Sequence, residues 1–226
     1  MAKNTPKVLI EEWFPFQEVG IECRRERGAF SALPPIYYLH VWWARRPLIA
    51  SKAAILGSIL PKSFSKNQFN ELMRFDKNLI KQFKQIKKAK ITGNRVKNPY
   101  QSERAFKINL SKAEIKKLKA DLQNYWKKEI KLLDPMSGGG SIPFEGIRLH
   151  LNFLSSELNP VAVIIQHATY KYPLLFGPSF LRKMQPIFEN FQLQIKERMM
   201  EYYSSYKGEK TESYIFVRTI KCQAVK

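Results

Sequence analysis

Asp134-Pro135-Met136-Ser137-Gly138-Gly139-Gly140-Ser141 is followed, after a short intervening stretch, by Glu157-Leu158-Asn159-Pro160. Glycines placed directly after a strand let a ligand approach the backbone, and they expose the N–H groups that open the next helix. A phosphate-binding loop of the Gly-Lys-Ser/Thr kind is excluded, because this loop has no lysine. A dinucleotide fingerprint needs a glycine where Pro143 stands. S-adenosylmethionine is the ligand class left. Its methionine part carries an amine and a sulfonium, which suit an acidic residue at the strand's end, Asp134. Glu157, at the end of the next strand, is placed to accept both ribose hydroxyls. Pro135, Ser137, Gly138, Gly140, Ser141 and Asn159 complete the loop's share of the candidate cofactor site. A purely structural glycine turn between strand and helix is the plainer alternative.

The elements that must hold this loop can be read around it. Residues 130–133 predict a short strand and 142–150 a helix with Pro143 in its first turn. Residues 153–157 predict a second strand and 160–170 a second helix. That order opens a parallel α/β sheet. Beyond it, a helix is expected over 179–206, with Pro186 as the place for a kink, and a strand over 213–221. Upstream, turns at Pro15 and Pro34-Pro35 precede a helix that begins at Pro47 and runs through Leu48, Ala50, Ala53, Ile55 and Leu60. Residues 67–90 fit an amphipathic helix with a break, and 92–101 a loop. Ser111 and Glu114 have capping-box spacing ahead of an apolar face of Ile115, Leu118, Leu122, Tyr125 and Trp126. Three segments result: an N-terminal region (1–60), a basic helical insertion (61–128) and a partial cofactor-binding domain (129–226).

Charge supplies the second functional signal. The chain carries a net charge of +20. Residues 62–131 hold 20 lysines and arginines against 6 aspartates and glutamates. Such a block attracts a polyanion, of which nucleic acid is the commonest, although a solvated lysine-rich helical surface has the same composition. Lys87, Lys88, Lys116, Lys117 and Arg46 are the candidate phosphate contacts, and DNA the expected, sequence-independent partner. The aromatic content of 13% excludes a disordered polypeptide. No apolar run approaches the roughly 18 residues that cross a bilayer. The first residues lack a secretory signal, and two cysteines make no disulfide framework. A cytoplasmic location is therefore expected.

The glycine-loop string through Pro143, taken with Glu157-Leu158-Asn159-Pro160-Val161-Ala162-Val163, resembles the cofactor motifs of amino-DNA methyltransferases. Arg24-Arg25-Glu26 and His40-Val41-Trp42-Trp43-Ala44-Arg45-Arg46-Pro47-Leu48 narrow the resemblance. They are similar to the N-terminal element of zinc-ribbon-containing, adenine-specific DNA methylases, a group described in part as domain of unknown function 1156. The likeness covers about residues 8–60 and 130–222. It implies an α/β fold with an incomplete Rossmann-like, S-adenosylmethionine-dependent methyltransferase sheet behind a helical, basic N-terminal region. It also implies that the N-terminal element folds back to line the methionine side of the cofactor pocket. At least one of Trp43, Arg45 and Arg46 then serves the pocket or the substrate, with Trp43 and Arg45 as candidate cofactor contacts. The plainer reading makes the tryptophans core residues and the arginines surface charges. His40 reads as a structural histidine.

The sequence departs from that family in two places. Methyl transfer to adenine N6 or cytosine N4 needs acceptors for the amine hydrogens and an aromatic face for the flipped base. In the family an Asn/Asp-Pro-Pro-Tyr/Phe string supplies them, and none is present here. Asn98-Pro99-Tyr100 has one proline too few, and Leu33-Pro34-Pro35-Ile36 lacks both amide and ring. Cys222 stands where a zinc ribbon would begin, but one cysteine cannot make a four-ligand site, so no metal is expected. The expectation is a cofactor-binding portion that is inactive alone and truncated before the catalytic motif, which a downstream polypeptide could supply. A non-catalytic nucleic-acid-binding or partner subunit that retains the fold is the alternative.

Overall fold

The fold is taken from a computed structural model, which describes residues 6–28, 33–94, 97–200, 202 and 218. The strand expected over 213–221 lies, but for Arg218, outside the described residues, and so does Cys222. The chain divides into two units, Met1–Leu175 and Phe176–Lys226.

The first unit begins with α1 (Phe16–Arg27), the single turn α2 (Ile36–Leu39) and α3 (Leu48–Ile59). Next come α4 (Lys66–Met73), α5 (Leu79–Ile91) and α6 (Lys112–Trp126). The helix expected over 67–90 is thus two helices. The break falls where Arg74 takes a left-handed conformation (φ 61°) and closes α4. Local capping sets the starts of α4 and α6, of which the sequence marks the second. Ser65 Oγ accepts from Gln68 N at 3.2 Å, and Ser111 Oγ accepts from Glu114 N at 3.3 Å. The capping box is complete, because Glu114 Oε2 accepts from Ser111 N at 2.7 Å.

Helix α3 is apolar around most of its circumference, which requires burial on nearly all sides. Leu48, Ile49, Ala53, Ile55, Leu56 and Ile59 are all in the core. That core also takes Phe69 and Met73 of α4, Phe106, and Leu118 and Leu122 of α6. It further includes Leu149, so residues on either side of positions 60 and 128 share one core.

Helix α3 is held by polar bonds from several distant parts of the chain. No side chain near its start caps it. Instead Glu26, buried on α1, accepts from Leu48 N at 2.9 Å and from Ile49 N at 3.2 Å. In its middle, Lys52 Nζ donates to Leu72 O, in the last turn of α4, at 2.6 Å. At its end, Trp126 Nε1 donates to Ile59 O at 2.8 Å.

The chain then forms β1 (Lys131–Asp134), α7 (Ser141–Arg148) and β2 (Asn152–Ser155), followed by α8 (Pro160–Gln166). The two strands are parallel, with Lys131 beside Asn152 and Asp134 beside Ser155. Helix α7 connects them and packs against both α3 and β2. Gly146 permits that packing, since a Cβ there would overlap the Phe153 ring. The helix expected over 160–170 departs from α geometry after Gln166: residues His167–Lys171 form a π-helical turn, and α9 (Tyr172–Phe176) follows.

In the second unit, α10 (Ser179–Met199) contains Pro186 and buries none of its residues. No described helix is long and apolar enough to cross a membrane.

Burial raises the Glu26 carboxyl from an ordinary 4.5 to about 7, against the two amides, which favour its charge. Between those values the folded chain keeps a proton that the unfolded chain releases. Stability is therefore expected to fall as pH rises from about 4.5 to about 7, by at most about 3 kcal/mol from this group. Urea melts across that window check it: Glu26→Gln should flatten the decline, and an unchanged slope in the variant contradicts the assignment.

Candidate functional site

Asp134 and Glu157 stand at or just beyond the carboxyl ends of two adjacent parallel strands, with the glycine loop between them. The loop is closed by its own backbone. Gly140 N donates to Ser137 O at 2.8 Å, and Ser137 N donates to Ser156 O at 3.1 Å. Ser137 Oγ also donates to Ser156 O, at 2.9 Å. Gly140 has a φ of +77°, which an L side chain tolerates poorly, and it caps α7.

The faces of the three glycines are filled by protein. A Cβ on Gly138 would stand 3.0 Å from Trp42 Nε1, and one on Gly139 3.0 Å from Arg45 Nη2. A Cβ on Gly140 would stand 2.9 Å from Tyr170 Cε1 and 3.0 Å from Gln166 Cγ. Side-chain packing from two sides is thus one physical reason for glycine at all three positions.

The first side of this clamp comes from the Trp-Trp-Ala-Arg-Arg-Pro string. Arg45 is 3% exposed and donates to Gly139 O at 2.9 Å. A weaker bond reaches His40 O at 3.5 Å, and the Tyr37 ring lies 5.5 Å away. Burial lowers the pKa of this guanidinium. Its described partners are carbonyls and a ring rather than a carboxylate. Arg27 of α1 in turn holds the Arg45 carbonyl at 2.5 Å.

The second side comes from α8 and the π turn. Gln166 Nε2 donates to Ser137 Oγ at 2.8 Å and to Gly138 O at 2.7 Å. Tyr170 OH donates to Gln166 Oε1 at 2.5 Å. The π turn sets where Tyr170 stands relative to Gln166, and such turns recur at functional sites.

Glu157 is held by three backbone donors: Gly138 N at 2.6 Å, Leu158 N at 2.8 Å and Asn159 N at 3.1 Å. Those bonds, that from Asn159 first, hold its pKa below the usual carboxylate value. It is an anion poised at the loop. A carboxylate offers about four acceptor positions, so accepting both ribose hydroxyls requires the release of one backbone donor. Asn159 Oδ1 caps α8 by accepting from Val161 N at 2.9 Å. Asp134 Oδ1 accepts only a long bond, 3.3 Å, from Met136 N.

Two features leave bonding capacity at the loop. The N-terminus of α7 has no side-chain cap. The hydroxyl of Ser141, 4% exposed, has no hydrogen-bond partner among the described residues.

The other predicted residues are dispersed. Trp43 is 99% exposed, and its neighbour Trp42 makes the loop contact instead. Arg46 is exposed and bonds the Ala44 carbonyl at 3.0 Å. Pro135 contributes its carbonyl, which accepts from Ser156 Oγ at 2.8 Å. Lys87 and Lys88 lie on α5, and Lys116 and Lys117 on α6. Lys117 borders a cavity shared with Glu71, Glu114 and Asp121. Asn98-Pro99-Tyr100 is a loop packed against α1, where the Tyr100 ring sits 4.1 Å from the Arg25 guanidinium. Glu26, Trp42, Gln166 and Tyr170 are the positioning residues that the sequence reading did not single out. Glu26 and Trp42 did lie inside the two quoted strings.

Arg45→Ala removes the bond to Gly139 and opens space against Trp42. It is expected to lower stability by about 1–3 kcal/mol and to speed amide exchange in the 136–142 segment. Hydrogen–deuterium exchange with mass spectrometry reads both effects. Protection of that segment at the wild-type level would mean that Arg45 does not hold the loop.

No curated protein and no solved structure matches the chain. A likeness is expected over about residues 8–60 and 130–222; the family model described as "Protein of unknown function (DUF1156)" matches residues 13–86, which contain Glu26, Trp42 and Arg45 and reach into α5, and does not extend to the glycine loop.

Proposed function

We propose that this chain is the S-adenosylmethionine-binding portion of a DNA amino-methyltransferase acting on adenine N6. One observation carries the reading. Two carboxylates at the ends of neighbouring parallel strands flank a glycine turn that leads into a helix start without a side-chain cap, beside the buried Ser141 hydroxyl, which has no partner among the described residues. The residues fit the cofactor's chemistry. Glu157 is kept anionic for the ribose, and Asp134 has capacity for the amine. The amides at the start of α7 suit a carboxylate. Leu158, 99% exposed beside Glu157, offers an apolar surface to a purine. The bound cofactor would supply an electrophilic methyl group.

The sheet supports the same reading. Parallel sheets are normally covered on both faces, yet Leu133 and Leu154 are 68% and 63% exposed. Such a sheet suits a Rossmann-like domain completed by further strands and helices. No Asn/Asp-Pro-Pro-Tyr/Phe string is present to orient an acceptor amine. A segment outside these 226 residues would supply that group, with DNA as substrate.

Calorimetry with S-adenosylmethionine is expected to detect weak binding, reduced about tenfold or more by Glu157→Ala through loss of a charged hydrogen-bond acceptor. A folded sample that shows neither heat nor thermal shift at millimolar cofactor refutes the site. A radiolabelled-methyl assay on unmethylated DNA tests the reaction. The chain alone should incorporate nothing, because losing groups that act in the transition state abolishes turnover rather than binding. Incorporation by the chain alone would place an acceptor site within these 226 residues.

A further inference from the structure

The basic segment is sorted by folding, and one groove is bordered mainly by cations, with the buried Glu22 behind Arg25 in its wall. It runs between α1, α5 and the loop at 98–104. A cavity of about 320 Å³ is bordered by Arg24, Lys90 and Arg104, with Phe83 and Tyr100 in its walls. A second, of about 330 Å³, continues along α5 past Arg24 and Phe83 to Lys87. Among the described residues no acidic side chain borders either cavity. The contrast with neighbouring surfaces is direct. The cavity at α4 and α6 is bordered by Glu71, Glu114 and Asp121, and that between α4 and α5 by Glu18, Glu71 and Asp76. Lys66 and Lys107 lie beside Glu18 and Glu103.

The groove is also built rather than merely charged. Arg25, buried on α1, pairs with Glu22 and donates to Ser102 O at 2.7 Å. Glu22 Oε2 accepts from Ala105 N at 3.2 Å. These bonds fix the 98–104 loop as one wall. Arg24 lies 5.4 Å from the Phe83 ring on the other. Cations interleaved with half-buried rings along an elongated channel match the needs of a single nucleic-acid strand, with phosphates on the cations and bases against the rings. An acidic peptide would use the charges but leave the rings idle.

We infer that the α1–α5 groove, with Arg24, Lys87, Lys90 and Arg104 for phosphates and Phe83 and Tyr100 for bases, binds single-stranded nucleic acid. The α6 lysines Lys116 and Lys117 are not part of this site. The Arg27 bond to the Arg45 carbonyl ties the same helix, α1, to the glycine loop, so the groove and the candidate cofactor site share a support. The inference gives the DNA partner proposed above a location. It is tested without cofactor, so its failure and the failure of the cofactor reading are separable.

The test is fluorescence anisotropy with a labelled 20-nucleotide DNA, single-stranded and as duplex, between 50 and 300 mM KCl (on the order of physiological salt). Thermal melts confirm that each variant is folded. The wild-type chain should bind the single strand in a salt-dependent way. R24E/K90E, which changes two exposed residues, should weaken it about tenfold or more and flatten the salt dependence. K116E/K117E should change it less than about twofold. F83L and Y100L should each weaken the single strand about fivefold, with the salt dependence kept, and affect the duplex less. Equal losses from the groove pair and the α6 pair would overturn the site. Unchanged single-strand affinity in both F83L and Y100L, or displacement of the DNA by polyglutamate at equal charge concentration, would overturn the nucleic-acid assignment.

Discussion

A buried carboxylate on two amides holds the arrangement of this protein together. Glu26 reaches from α1 to the first two N–H groups of α3, a helix with no cap of its own. Unpaired amides at a buried helix start are costly, and so is a buried carboxylate; the carboxyl satisfies the amides, while they offset its burial only in part. The bond fixes the start of α3, and with it the preceding string that carries Trp42 and Arg45. Helix α7 packs on α3, and the glycine loop leads into α7. The loop is thus braced from below by α7 and from the side by Arg45, both referred to the same central helix.

A second group of buried charges serves the same seam. Glu145 of α7 is bonded to Arg148, and burial raises its pKa. Burial lowers Lys52 of α3 to about 8, while the nearby Glu145 charge opposes that shift. Arg148 reaches on to the Phe106 carbonyl at 2.8 Å and to Asn109. Charged groups are expensive inside a core unless they are paired, and these are met by one another and by backbone. The seam between α3 and α7 is therefore specified by polar partners as well as by apolar fit.

The parts legible in the sequence are those set by neighbours along the chain. The Ser111–Glu114 box, the Pro47 boundary and the β1–loop–α7–β2 order all rest on contacts within a few residues, and the structure contains each. The parts that were not legible depend on distance. Glu26 and Leu48 are 22 positions apart, and Arg45 and Gly139 are 94 apart. No local rule joins them. The choice between Trp42 and Trp43 turned on the direction of one residue in an irregular segment, where no period fixes which side faces inward. The total charge along 62–131 is legible in composition, but its distribution over the surface is not. Folding puts some lysines beside carboxylates and leaves others along the α1–α5 groove.

The π turn at His167–Lys171 gives the chain one more residue than an α-helix would use over that span. Within it Tyr170 bonds Gln166, four positions earlier, and covers Gly140. Each residue of an α-helix turns the chain by about 100°. A regular α-helix of the same length would turn the residues after Lys171 by about one such step relative to the glycine loop. This stretch of helix is thus a counted spacer: it tolerates changes of side chain at His167 and Ala168 far better than a change of length.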